Sequence, residues 1–404
     1  MRIVKSELKK IFKNRVIFIA LAVFLLLNIT NIYRNYNIQN GVEDYYVTGQ
    51  LFLREQLNGE ITDYKTELIN QQTEKLSELM NDEKYIYQTS PENEFITGYA
   101  FWDLQLWNSY KDYIDKAQAY NEQIQQKTNT ALKNTEFYNG RNEFYEAENK
   151  LYYDTYSDRK ITEIYDTNNL IDYFSYNFSS VLSVIMLLLG VIPIFCNECE
   201  SDMDTILVTS KNGRRKTVIS KIIATLIYVL IIELVFSICD FASFICFAKL
   251  DGLNQVLYAV QGFELCSADI YVWQFCLVLF AMKIIGMCVI GLVFLLLSKM
   301  FRRSVAPFVL GTSVFFILMI LKSFFTDNTG KIANLFNPIS LFVSYNYFES
   351  FSVTNILGQP MFDYRIAIFA GVITVIILAV VIILMPLKMK MKLPELNLGK
   401  KVRL

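Results

Sequence analysis

Apolar positions along the chain gather into six blocks: Val16 to Tyr33, Phe178 to Cys196, Val218 to Phe247, Tyr271 to Ser298, Val305 to Phe325 and Ile366 to Leu387. Each is close to the roughly 20 residues that carry a helix across a hydrocarbon layer roughly 30 Å thick. Lys and Arg collect beside alternate block ends, at Arg2, Lys5, Lys9, Lys10, Lys13 and Arg15, at Lys211, Arg214, Arg215, Lys216 and Lys221, at Lys299, Arg302 and Arg303, and from Lys388 to Arg403. The intervening segments 248–270 and 326–365 hold only Lys249, Lys331 and Arg365. Because cytoplasmic loops retain positive charge, the pattern predicts a multi-pass plasma-membrane protein with both termini cytoplasmic. The expected fold is all-α, with six transmembrane helices and a large helical extracellular insert between the first and second.

The insert, residues 33–177, follows a different pattern. It carries 13 Lys and Arg against 25 Asp and Glu, a local charge of −12 that leaves about +11 for the rest of the chain. Apolar positions at Leu57, Ile61, Tyr64 and Leu68, and at Trp107, Tyr110, Ile114, Ala117 and Ile124, recur at spacings of three and four. Such spacing predicts amphipathic helices packed as a small bundle, with antiparallel coiled-coil pairing as one form. Turns are expected at 81–93 and 139–142. The chain therefore divides into an amphipathic leader and first span (1–32), the extracellular helical domain (33–177), and spans two to six (178–404) with a cytoplasmic loop at 197–217. The Leu-rich first span runs into Asn28, Thr30, Asn31 and Tyr33 without a small-residue cleavage site, so it is read as a retained anchor.

Composition narrows the chemistry. The chain has 404 residues, 53% of them hydrophobic, and no histidine. That absence removes the commonest general base, the commonest metal ligand and every Ser-His or Cys-His pair. Cys196 and Cys199 form a CxxC, but without histidines or a second CxxC a zinc site lacks ligands, and structural thiols are expected. No G-x-x-x-x-G-K-[ST] occurs, so a phosphate-cradling loop of that kind is missing. No cofactor and no nucleic-acid partner is expected for this chain.

The most informative polar stretch is Asn197-Glu-Cys-Glu-Ser-Asp-Met-Asp-Thr-Ile-Leu-Val-Thr-Ser-Lys-Asn-Gly-Arg-Arg-Lys216, leading through Lys221 into the third span. Glu198, Glu200 and Asp202 come first, then Thr205 and an apolar run that includes Leu207, then Arg214 and Arg215. Acids before and bases after a short apolar run suit the dipole of a helix lying along a membrane surface. The same charges also suit a solvated linker that only sets topology.

With its basic leader Glu7-Leu-Lys-Lys-Ile-Phe-Lys-Asn-Arg15, one span, an insert and this acidic-to-basic loop, the chain resembles the permease subunits of ABC-2 type exporters. Asn337-Pro338, before the sixth span, is similar to the short re-entrant segments of that family. The resemblance implies that the loop couples to ABC ATPase subunits, through Glu198, Glu200, Asp202, Thr205, Leu207, Arg214, Arg215 and Lys221. It also implies ATP and Mg on that separate partner, and a second permease copy or a related permease alongside membrane lipid. The chain departs from the family in its large insert and in Asp204, where a glycine is usual.

Glu233 and Lys283 fall near the middle of the third and fourth spans, which run antiparallel, so the two are expected to meet at similar depth. A charge left alone there costs about 3 kcal/mol. An ion pair that fixes packing and a role in the substrate path both account for them. Asp240, nearer the outer surface, is expected to be hydrated. The insert's 19 tyrosines either fill small helical cores or line a surface for cationic peptides. Two functions fit: export of an amphipathic peptide, antibiotic or lipid-like molecule, or a sensor that uses ATPase motion to work the insert without moving cargo.

Overall fold

The computed structural model describes residues 2–39, 44–80, 95–201, 203, 213–324 and 328–385. The amphipathic leader forms α1 (Arg2–Phe12), whose buried face carries Glu7 and Ile11. A two-residue break leads into α2 (Arg15–Gln39). The insert follows as α3 (Asp44–Leu57), β1 (Gly59–Glu60), α4 (Asp63–Met80), α5 (Ala100–Tyr138), α6 (Glu143–Tyr156), β2 (Glu163–Ile164) and α7 (Asn168–Ser175). Next come α8 (Phe178–Val191), α9 (Pro193–Glu200), α10 (Gly213–Ala248), α11 (Val272–Met300), α12 (Val305–Phe324) and α13 (Asn328–Leu335). A hairpin of β3 (Val353–Ile356) and β4 (Gln359–Phe362) precedes α14 (Asp363–Leu384).

Among the described residues, six helical runs are long and apolar enough to cross a membrane: Arg15–Tyr36, Asn168–Glu200, Arg215–Ala248, Val272–Met300, Val305–Phe324 and Asp363–Leu384. They occupy the places the apolar blocks predict. The second differs in form, being a 33-residue run broken twice. Tyr176 and Asn177 separate α7 from α8, and Pro193 opens α9, where its missing N–H and fixed φ are tolerated in a first turn. Helix α11 is central, packing against α8, α10, α12 and α14. Close approach depends on small residues: a Cβ on Gly190 of α8 would lie 2.4 Å from the Tyr228 ring of α10. That phenol donates to Met186 O at 2.9 Å, so one side chain both fills the gap and ties the two helices.

The insert is helical, as its periodicity predicts, with α5 as its spine between α4 and α6. Trp107, Tyr110, Ile114, Ala117 and Ile124 are all buried along one face of α5. The α5–α6 turn uses Gly140 at φ 69°, a left-handed conformation that favours glycine. Asn142 then caps α6 by accepting from Phe144 N and Tyr145 N. The other expected turn, 81–93, lies outside the described residues. One expectation is corrected: Leu57, Ile61, Tyr64 and Leu68 do not share a helix. Helix α3 ends at Leu57, Gly59 pairs with Ile164 and Glu60 with Glu163, and Tyr64 is 73% exposed at the start of α4.

The insert's core is not separate from the helix layer. Its buried residues run on into Leu257, Val260, Phe263, Val272, Phe275, Leu335, Phe348 and Ile366, from the segments around α11, α13 and α14. Ring contacts carry this continuity, with Phe174–Phe275 at 4.9 Å, Phe275–Phe348 at 5.0 Å and Tyr152–Phe351 at 5.0 Å. At the opposite end of the layer a second core joins α1, α8, α9, α10 and α11.

Candidate coupling site and intramembrane charge cluster

The loop that carries the acidic-to-basic pattern leaves α9 and enters α10, and its two described ends are anchored differently. Lys221, just over two turns into α10, is 0% exposed. Its ammonium lies 2.8 Å from Glu198 Oε1 of α9 and 3.5 Å from Glu7 Oε2 of α1. It donates to Ile194 O at 2.7 Å and sits 4.6 Å over the Phe195 ring. Lys10 of α1 closes the cluster at 2.9 Å from Glu7 Oε1 and 3.1 Å from Glu198 Oε1. Burial acts to lower the Lys10 ammonium, but its hydrogen bonds and attraction to Glu7 and Glu198 outweigh that and hold it above the ordinary lysine value.

Two acids and two bases therefore lock the leader, the end of the second span and the start of the third. Buried charges survive only when paired and hydrogen-bonded, and this set meets both conditions. Glu7 and Lys10, read from the sequence as part of a basic leader, belong to this site. Their spacing of three places them on one helix face, the only local signal of their pairing.

Glu200 has another role. Exposed at the end of α9, its Oε1 accepts from Ser304 N at 3.0 Å and Ser304 Oγ at 3.1 Å. Ser304 immediately precedes α12, so Glu200 fastens the α11–α12 loop to the end of the second span. Arg215 stands exposed on the first turn of α10. Asp202, Thr205 and Leu207 lie outside the described residues, and of Arg214 only its place in α10 is described. The CxxC falls on α9: Cys196 is buried, with Sγ 3.5 Å from Ser298 O of α11, and Cys199 Sγ lies 3.0 Å from Phe195 O.

The structure brings Glu233 of α10 and Lys283 of α11 together, at 3.5 Å. Glu233 is 0% exposed. Lys283 also donates to Ser179 Oγ of α8 at 3.1 Å. Asp240, expected to be hydrated, is instead 6% exposed. The reason is Asn28 of α2, whose Nδ2 donates to Asp240 Oδ1 at 2.5 Å while its Oδ1 accepts from Tyr176 Oη at 2.8 Å. A polar chain thus runs from Tyr176 through Asn28 and Asp240 toward Lys283 and Glu233, and involves α2, α8, α10 and α11.

Asn337 accepts from Ile339 N at 3.0 Å and donates to Leu318 O at 2.9 Å, tying the short turn Pro338–Leu341 back to α12. Pro338 O packs against Gly286 of α11, where a Cβ would lie 2.8 Å away.

These sites lie within a longer match. A family model described as ABC-2 family transporter protein matches residues 1–389. No curated protein matches the chain.

Proposed function

Because the chain belongs to the ABC-2 family of transporter proteins, a multi-pass permease family whose members are not themselves catalytic, we propose that it is the membrane subunit of an ATP-driven exporter. ATP is bound with Mg and hydrolysed by a separate ABC ATPase, and the working unit holds two permeases, either two copies or this chain with a relative. The cargo is an amphipathic peptide, an antibiotic or a lipid-like molecule, for which an apolar helix layer is a suitable route. Both termini and the 197–217 loop face the cytoplasm, as the Lys and Arg distribution favours, and the insert lies outside.

The observation that carries this reading is the balanced cluster of Glu7, Lys10, Glu198 and Lys221. It sits at the two ends of the acidic-to-basic loop and fastens them to the leader, so a push on the loop moves three elements together. Lys221 acts as the internal strut in this reading, while Glu200 and Arg215 stand where a partner reaches them.

The test replaces those exposed residues, Glu200→Ala and Arg215→Glu, in protein purified with its ATPase from bilayers. Lower ATPase recovery or lower stimulated hydrolysis, with normal insertion of the permease, is the expected result. Unchanged recovery and turnover in both variants count against it.

The continuous core between insert and helix layer favours a second reading, in which ATPase motion works the insert without cargo crossing. Reconstituted vesicles separate the two: ATP-dependent loss of an amphipathic peptide from the ATPase-facing side supports export. Insert movement, read by paired labels with no flux, supports mechanotransmission.

A further inference from the structure

The two charge clusters differ in their arithmetic. At the leader end, two ammonium groups face two carboxylates. Inside the helix layer, Lys283 faces two carboxyl groups, Glu233 and Asp240. The latter two are seven residues apart on α10, two turns, and so share a face. Both are buried. A surplus carboxylate in an apolar layer carries a large solvation penalty and neutralises unless a partner supplies positive charge.

Among the described residues, the neighbours supply none. Helix α2 contributes the Asn28 amide, and α8 contributes the hydroxyls of Ser179 and Ser183. The other titratable groups facing the cluster are the phenols of Tyr173 and Tyr176 and the thiols of Cys239 and Cys288. All are uncharged in their acid forms.

A second observation marks the place where something is missing. Neither Glu233 oxygen has a hydrogen-bond partner, and the 3.5 Å to Lys283 is long for one. Ser183 Oγ, also fully buried, approaches Glu233 but makes no hydrogen bond of good geometry. Among the described residues no three Asp, Glu, His or Cys side chains gather to hold a metal ion. A proton needs neither a third ligand nor a cavity.

We infer that the cluster of Glu233, Asp240 and Lys283 is a binding site for one proton, held on one of the two carboxyl groups, which brings the cluster to zero net charge. The step is proton transfer alone: a carboxylate oxygen gains H⁺ from water and an O–H bond forms, with no other bond broken. Bound on Glu233, the proton gives that carboxyl a donor for the Ser183 oxygen. The inference stands independently of the export reading.

Infrared spectroscopy of the full-length protein in lipid nanodiscs at neutral pH tests it, because a protonated carboxyl and a carboxylate absorb separately. The wild type is expected to show a protonated-carboxyl band that exchanges slowly in D₂O. Asp240→Asn and Glu233→Gln are each expected to lose that band, since either leaves one carboxylate for one ammonium. Lys283→Met is expected to gain it about twofold, because two uncompensated acids then neutralise. Gel filtration checks that each variant is folded, and if one acid variant fails to assemble the other gives the same readout. A wild type without the slowly exchanging band, or a band that survives both acid substitutions, overturns the inference.

Discussion

The Lys221 ammonium lies 2.8 Å from Glu198 Oε1, fully enclosed between the leader and two spans. Removing a buried cation strands its acids, at a cost of about 3–5 kcal/mol, whereas exchanging a whole buried pair for apolar groups is often close to neutral. Lys221→Met is therefore expected to lower the thermal midpoint sharply. Lys221→Met with Glu198→Gln should recover much of the loss, leaving Glu7 to the half-exposed Lys10. A single variant as stable as wild type in a melting experiment would show that the cluster carries no such stake.

Glu233 and Lys283 make the same argument in the helix layer. Reversing either charge alone, as Glu233→Lys or Lys283→Glu, sets like charges against each other in a region where even one unpaired charge costs about 3 kcal/mol. Each is expected to reduce the yield of folded protein severalfold. The double reversal restores a cation beside an anion and should return most of the yield. Failure of that rescue, measured by fluorescence-detected gel filtration, rejects the pairing.

Cys266, in the segment between α10 and α11, offers a pH-dependent readout. Burial pushes its thiol up from 9.0 to about 11, against a smaller opposing pull from Arg159. Arg159 Nη1 lies 3.7 Å from the sulfur. Because folding favours the neutral thiol, this group's contribution to stability is complete below about pH 9 and is lost as pH rises through about 11. Alkylation at Cys266, followed by mass spectrometry, should be slow at pH 8 and rise about tenfold per pH unit, since the thiolate is the nucleophile. Rapid labelling of the native protein at pH 8 would contradict the buried placement.

Helix placement was readable because its causes are local. Five apolar blocks correspond to single helices, and the face from Trp107 to Ile124 is buried as its spacing requires. The second block needed Pro193 and the Tyr176–Asn177 break to be read as punctuation, and Tyr64 was misplaced because Gly59 ends a helix that spacing alone would continue. The sites were legible only in part. Glu233 and Lys283 could be paired by depth, but Asp240 depends on Asn28, 212 positions away, and Lys221 depends on Glu7, 214 away. Contacts of that separation follow from how helices pack, which no local pattern encodes. The first turn of α10 was legible as basic, yet which of its charges turn inward was not.

Arg54 of α3 decides how the insert is held. It donates through Nε and Nη2 to Asp166 Oδ2 at 3.1 and 2.9 Å, and through Nη1 to Lys249 O, just past α10, at 2.8 Å. Gln50 and Tyr113 also donate to Asp166, so one buried carboxylate gathers α3, α5 and the chain entering α7. The negative charge there and the burial of the ring both push the Tyr113 phenol up, burial being the larger. Arg54→Met leaves Asp166 without its cation and Lys249 O without its donor, a loss of about 3–5 kcal/mol for a buried pair broken on one side. The damage should be local, because the leader-end core shares no residue with this one. Limited proteolysis is expected to cut the insert of Arg54→Met at least tenfold faster while the leader-end core, at residues 182–196 and 218–236, stays protected, and Asp166→Asn should behave likewise. If the insert resists protease as well as wild type does, the Arg54–Asp166 contact is not what binds it to the helix layer, and its shared aromatic core must do so alone.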